Sequence, residues 1–126
     1  MENLVMNATN KTPYVEFSHK GILTIRGRSI PEDANIFYDH LQSWVFQYCL
    51  DPPQTTVVDI NLEYMNSATA KSLLLILSEF SSITQQGKEL VVNWYYESGD
   101  DDMVERGEYF EKILQLEFNY MESLSD

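Results

Sequence analysis

Between Thr55 and Tyr96 the apolar period of this chain changes twice. From Thr55 to Tyr64 it is two: Val58, Ile60, Leu62 and Tyr64 alternate with Val57, Asp59, Asn61 and Glu63. A period of two rich in β-branched residues marks a strand with one apolar face. Leu73, Ile76, Leu77, Phe80 and Ile83 then recur at helical spacing. That helix runs to about Gln86, and Gly87 stops it just past the last turn. From Glu89 to Tyr96 the period returns to two, with Leu90, Val92, Trp94 and Tyr96 on one face. Strand, helix and strand in succession imply a parallel crossover.

The flanking segments extend this pattern. Tyr14-Val15-Glu16-Phe17 and Ile22-Leu23-Thr24-Ile25 surround a Gly-containing loop and read as a hairpin, with Gly27 ending its second strand. Ser29-Ile30-Pro31-Glu32 reads as a helix start. Ser29 would cap it, Glu32 follows three residues on, and the first turn tolerates Pro31. Phe37, Leu41, Trp44, Val45 and Tyr48 then share one helical face, until Asp51-Pro52-Pro53 stops the helix. Aromatics at this spacing are core packing rather than a ligand box. After Gly99, Asp residues suit the positive end of a third helix over about 101–114, with Met103, Phe110, Ile113 and Leu114 facing inward. Leu116, Phe118 and Tyr120 alternate in a last short strand.

The expected order is β-β-α-β-α-β-α-β. It makes one α/β domain over residues 13–120, a mixed sheet with an N-terminal hairpin and helices mainly on one face. Residues 1–12 read as a flexible arm and 121–126 as a polar tail. A chain of 126 residues has enough material for one core.

Charge narrows the partners. Eight Lys and Arg face twenty Asp and Glu, a net charge of −12. Such a balance argues against a basic stripe for nucleic-acid phosphates and equally against anionic membrane surfaces. The longest apolar run, Leu73 to Leu77, is far shorter than the roughly 20 residues of a membrane span, so no insertion is expected. The first residues lack a basic segment followed by an apolar one, so no leader is expected and the cytoplasm is the default location. Ten acidic and two basic residues fall between Glu97 and Asp126. They read as a solvated face, or as a docking surface for a basic partner.

Catalytic patterns are scarce. No P-loop and no dinucleotide fingerprint is present. His19 and His40 sit in no ligand-spaced motif, and Cys49 near a helix end reads as a packed thiol. No metal and no cofactor is expected. Tyr38, Tyr95 and Tyr96 fit core or sheet packing as well as an interface.

One segment stands out. Asn66-Ser67-Ala68-Thr69 joins the clearest strand to the clearest helix, at the strand end where α/β sites gather. The bland reading is that Ser67 caps the helix. The functional reading is that Ser67 accepts a phosphoryl group, held by first-turn amides. Both fit together: the unmodified hydroxyl caps and the modified one blocks a partner at this corner. Thr69 is a second hydroxyl, whose side chain could pack instead. The phosphate would add negative charge near Glu63 and Asp59, and Lys71 could pair with it or stay solvated. A small-molecule-binding or enzymatic domain is the alternative, drawing on Asp59, Asn61, Glu63 and Ser67. Another is an acidic adaptor that docks through its C-terminal region.

Several segments carry a family resemblance. They are Thr12-Pro13, the stretch from Gly21 to Glu32 (GILTIRGRSIPE), Leu62-Glu63-Tyr64-Met65-Asn66-Ser67, and Trp94-Tyr95-Tyr96-Glu97-Ser98-Gly99-Asp100. From Thr12 to Phe118 this ordered set resembles the SiaC family of bacterial regulatory phosphoproteins. The resemblance implies a fold like the STAS domains of anti-sigma-factor antagonists. It implies a non-catalytic partner switch, phosphorylated by a Ser/Thr kinase of the anti-sigma type and restored by a PP2C-type phosphatase. The unphosphorylated form of such a protein binds and activates a diguanylate cyclase, promoting cyclic-di-GMP signalling and biofilm formation. The family's acceptor, commonly Thr, follows an Asn in the strand–helix turn. That role carries to Ser67 after Asn66, with Thr69 as the fallback. The expected partner-binding set is Glu63, Asn66, Ser67, Thr69 and Lys71.

Overall fold

A computed structural model describes residues 1–123. Its strands are β1 (Leu4–Met6), β2 (Tyr14–Phe17), β3 (Ile22–Ser29), β4 (Thr55–Met65), β5 (Glu89–Glu97) and β6 (Phe118–Ser123). Its helices are α1 (Ala34–Leu50), α2 (Ser67–Phe80), the short α3 (Ser82–Gln85) and α4 (Asp101–Leu114). The six strands form one sheet in chain order. β1, β2 and β3 pair antiparallel, whereas β3 to β6 are parallel neighbours. This is the mixed sheet with an N-terminal hairpin that the sequence predicts.

Strand order explains where the helices lie. Each crossover steps to the next strand in the same direction, and right-handed crossovers then put α1, α2 and α4 on one face. Burial follows suit. Leu23, Ile25, Val58, Ile60, Val92 and Trp94 are buried, while Ile22, Thr24, Asp59 and Asn93 on the other face are not. Among the described strands the order never reverses, so the sheet lacks the switch-point crevice in which doubly wound sheets hold ligands.

Four local expectations change. First, the N-terminal arm contains β1, which pairs with β2. Trp44 Nε1 donates to the Glu2 carbonyl at 2.8 Å, tying the arm to α1. Three residues are too few to display a period. Second, Ser29 is no helix cap. β3 continues through it, and Asp33 caps α1 by accepting from the Ile36 amide at 3.3 Å.

Third, Gly27 bends the strand instead of ending it. Its φ of 116° lies in the region that favours glycine, and the register shifts there. Gly27 faces Leu62 but Arg28 faces Tyr64, which leaves Glu63 as the extra residue of a bulge. Tyr64 is consequently 56% exposed rather than inward, and Met65 fills the inner position. Fourth, β6 starts at Phe118 and continues through Ser123, three residues into the expected tail. Residues 124–126 of that tail lie outside the described residues. On α4 only Met103, Gly107 and Phe110 are buried, and Ile113 is exposed.

Candidate functional site

β4 ends at Met65, and Asn66 turns the chain into α2. Its backbone is extended, and its side-chain Oδ1 accepts from the Thr69 amide at 2.9 Å. Asn66 therefore caps the helix, in place of Ser67. Asn is as good a cap as Ser, and it stands one residue earlier. The Ala70 amide donates to the Asn66 carbonyl at 3.0 Å. The amides of Ser67 and Ala68 come before the first intrahelical bond and mark the positive end of the helix.

The two hydroxyls of this turn have opposite surroundings. Two residues along a helix is about 200°, so their side chains leave on opposite sides. Thr69 is fully buried. Its Oγ1 donates to the Ser29 carbonyl at 3.0 Å and lies 2.9 Å from Ser29 Oγ, which lies 2.6 Å from the Tyr38 hydroxyl. A carbonyl only accepts, which fixes every proton. Tyr38 donates to Ser29, Ser29 to Thr69, and Thr69 to the Ser29 carbonyl. The Asn66 amide donates to that same carbonyl at 3.2 Å. Burial pushes the Tyr38 hydroxyl up to about 12, keeping it a donor. The relay ties α1, β3 and the start of α2 together.

Ser67 faces solvent. Lys71 stands one turn below on the same helical face, roughly 6 Å away by helix geometry. With Leu74, another turn on, Lys71 forms one wall of a groove of about 550 Å³ between α2 and α4. Asp102, Glu105, Arg106 and Tyr109 line the other wall. Ser67 lies one turn before Lys71 on the same face of α2, and the groove itself is also lined by Ala70 and Phe110.

The remaining candidates scatter. Glu63 is exposed on the bulge and pairs loosely with Arg28 Nε at 3.8 Å. Such an exposed pair contributes little to stability. Asp59 belongs to a ladder across the bare face: Asn93 Nδ2 donates to it at 2.7 Å, and Asn119 Nδ2 to Asn93 at 3.1 Å. Asp59 and Asn61 therefore lie across the sheet from Ser67 and do not converge on it. Of the three tyrosines, Tyr38 is core, while Tyr95 and Tyr96 are half-buried.

His19 is held by Asn3 at 2.7 Å, in the hairpin loop. Cys49 is buried, and burial pushes its thiol up to about 11. Among the described residues no cluster of His, Cys, Asp and Glu is arranged for a metal ion. None of their helices is long and apolar enough to cross a membrane. Sequence reading missed Ser29 and Tyr38 as partners of Thr69, and Arg106 and Tyr109 beside Lys71. No local pattern joins residues 40 positions apart.

A one-sided sheet with a solvent-facing hydroxyl in the first turn of α2 makes this a small single-domain module of the mixed α/β class. The chain is a member of the SiaC family: the profile of SiaC family regulatory phosphoproteins matches residues 6–123. An uncharacterized protein of Pseudomonas aeruginosa is 24% identical over 119 residues, covering 94% of each chain. SiaC of Pseudomonas aeruginosa superposes with a TM-score of 0.83 at 22% identity, covering 98% of both chains. A chain in the crystal structure of diguanylate cyclase SiaD in complex with its activator SiaC, also from Pseudomonas aeruginosa, reaches a TM-score of 0.87. It is 23% identical and covers 95% of this chain and 99% of that one. At these identities the structures establish the fold.

Proposed function

We propose that this chain is a non-catalytic partner switch whose unphosphorylated form binds and activates a diguanylate cyclase. A Ser/Thr kinase of the anti-sigma type phosphorylates Ser67, and a PP2C-type phosphatase restores the hydroxyl. The carrying observation is the contrast at one turn: Ser67 is exposed, while Thr69 is buried with its hydroxyl committed. A phosphoryl group reaches Thr69 only if the relay opens. At Ser67 it meets the positive end of α2 and the Lys71 ammonium. The role of SiaC as an activator of SiaD supports the choice of effector.

The phosphate brings a charge of about −1.5 to −2 to the corner without refolding anything. A partner covering Ser67 would have to desolvate that charge, and this is how the modification blocks binding. The test titrates the purified chain against the diguanylate cyclase of the same organism most similar to SiaD, reading affinity and cyclic-di-GMP formation. Wild type and Ser67→Ala should bind and activate, Ser67→Asp should do neither well, and only Ser67→Ala should resist the kinase. Equal binding by all three would overturn the switch at this residue.

A further inference from the structure

α1 buries Ala34, Tyr38, Leu41, Val45, Tyr48 and Cys49, and its opposite side faces solvent. Ser43 lies two residues from both Leu41 and Val45, about 200° around the helix, so it points straight out. Ile36 precedes it by seven residues and Leu50 follows it by seven. Seven residues are close to two turns, so both share the direction of Ser43. Ile36 is 67% exposed, Leu50 65%, and Phe46, three residues past Ser43, 51%. Scattered apolar residues on a surface are ordinary, but a stripe of three opposite the core does nothing for the fold of one copy.

The stripe matches itself when turned end for end. An antiparallel copy about a two-fold axis at Ser43 sets Ile36 against Leu50 at each end of the contact. His40 and Gln47 fall on one flank of the stripe, Asp39 and Phe46 on the other. Each flank therefore brings a different side chain of the second copy: the Gln47 amide beside the His40 ring, and the Phe46 ring beside Asp39. The small side chain of Ser43 on the axis lets the two helices approach closely.

Charge selects the occupant. Each copy has a net charge of −12, so two copies repel wherever their acidic surfaces meet. α1 has one carboxylate and no Lys or Arg in 17 residues. In the antiparallel pair the two Asp39 lie eight residues apart along the helices. That is roughly 12 Å, beyond the Debye length of about 8 Å at physiological salt. Asp33 of one copy and Asp51 of the other share each end, where Lys88 stands 3.9 Å from Asp51. Glu2 lies at the edge, beside His40 and Trp44. A basic partner would find one carboxylate on this stripe, whereas a second copy finds an uncharged match along its centre.

We infer that α1 is a self-association surface, on which two copies of this chain pair antiparallel about a two-fold axis at Ser43. The contact is isologous and closes at two copies. One helix pair covers less than the roughly 800 Å² a side of a standard interface, so the dimer is weak and depends on concentration. The pairing needs no other protein and no phosphate.

The test is sedimentation equilibrium of the full chain between about 10 µM and about 1 mM, the range of a small interface, with thermal melts to show that each variant keeps the fold. Wild type should pass from monomer to dimer over this range. It should do so more readily in about 0.5 M salt than in about 0.05 M, because salt screens the acidic ends. Ser43→Glu puts two carboxylates face to face on the axis. It and Phe46→Glu should each weaken the dimer about tenfold or more, while Tyr109→Glu on α4 should stay within about twofold. Ser43→Cys should form a disulfide between copies under mild oxidation, because a residue on the axis faces its own copy. Cys49 is buried and does not compete. Glu105→Cys, exposed on α4, should stay uncoupled.

A single monomeric species up to about 1 mM at both salt concentrations would overturn the pairing. So would a dimer that Ser43→Glu leaves intact, or one that Tyr109→Glu dissociates, because the contact then lies elsewhere. Coupling through Glu105→Cys but not Ser43→Cys would move the axis off α1. A dimer that salt dissolves would be held by ion pairs rather than by this stripe. Assembly beyond two copies would mean a head-to-tail contact and would equally rule out the two-fold.

Discussion

α2 has two flanks, and they are built differently. Toward α1 it meets a dry seam, where Leu41, Val45 and Tyr48 are as buried as Leu73, Ile76 and Leu77, and Tyr48 packs edge-on against Phe80. Toward α4 it leaves a groove. The difference originates in the neighbours. α1 has Asp39 as its one acidic residue and no Lys or Arg in 17 residues, and it buries Ala34, Tyr38, Leu41, Val45, Tyr48 and Cys49. α4 has five acidic and two basic residues in 14 and buries only Met103, Gly107 and Phe110. A helix so charged stands on a narrow apolar foot. The lesson concerns Thr69 and Ser67: the hydroxyl on the seam side stabilises, and the one on the groove side is available for chemistry.

The comparison breaks most visibly at the core of the seam. Leu77→Ala should lower stability by about 3 kcal/mol in urea unfolding, whereas Tyr109→Ala should stay within about 0.5 kcal/mol. Equal losses would mean that the groove is as structural as the seam. Next comes the foot of α4. A Cβ on Gly107 would stand 2.8 Å from Trp94 Nε1 and 2.9 Å from Tyr120 Cε1. Gly107→Ala should therefore cost about 2 kcal/mol, and Trp94 fluorescence should report the displaced helix. An unchanged melt would show that α4 sits more loosely than this contact implies.

Smaller effects separate the residues of the turn itself. Asn66→Ala should cost about 1 kcal/mol as a lost cap, and Ser67→Ala should stay within about 0.5 kcal/mol. A reversal of that order in thermal melts would return the cap to Ser67.

The finest probe is alkaline pH. Tyr38 titrates near 12 in the folded chain against an ordinary 10.0. A folded pKa raised in this way gives stability that is complete below about 10 and lost as pH rises toward 12. Tyr48 is raised too, and Cys49 titrates near 11 against 9.0, so wild type weakens over the same range and slightly earlier. Tyr38→Phe should show a shallower alkaline loss than wild type. An identical profile would mean that burial does not hold the phenol in its protonated form.

Much of this was legible beforehand, for a physical reason. Burial on one face imposes a period, and the periods at Thr55–Tyr64, Leu73–Ile83 and Glu89–Tyr96 announced two strands and a helical stretch between them, which the structure divides at Ser81 into α2 and α3. The third helix was placed at 101–114, where α4 lies. Failures came where period and environment part. Tyr64 continues the alternation of β4, yet the bulge at Glu63 turns it outward. Ser29 has the composition of a cap, yet β3 runs through it because its partner Met65 holds it in the ladder. β1 is too short to have a period at all.

The sequence by itself determined that this is a one-sheet α/β chain, and that Asn66 and Ser67 fall where a strand turns into a helix. Periodicity and capping chemistry are local, so they can be read along the chain. Only the tertiary structure decided which hydroxyl is inside. That choice depends on Ser29 and Tyr38 arriving at Thr69 from β3 and α1, and on α4 standing away from Lys71. A side chain's period says that it is buried or exposed, but not what it will meet, because its partners come from elsewhere in the chain.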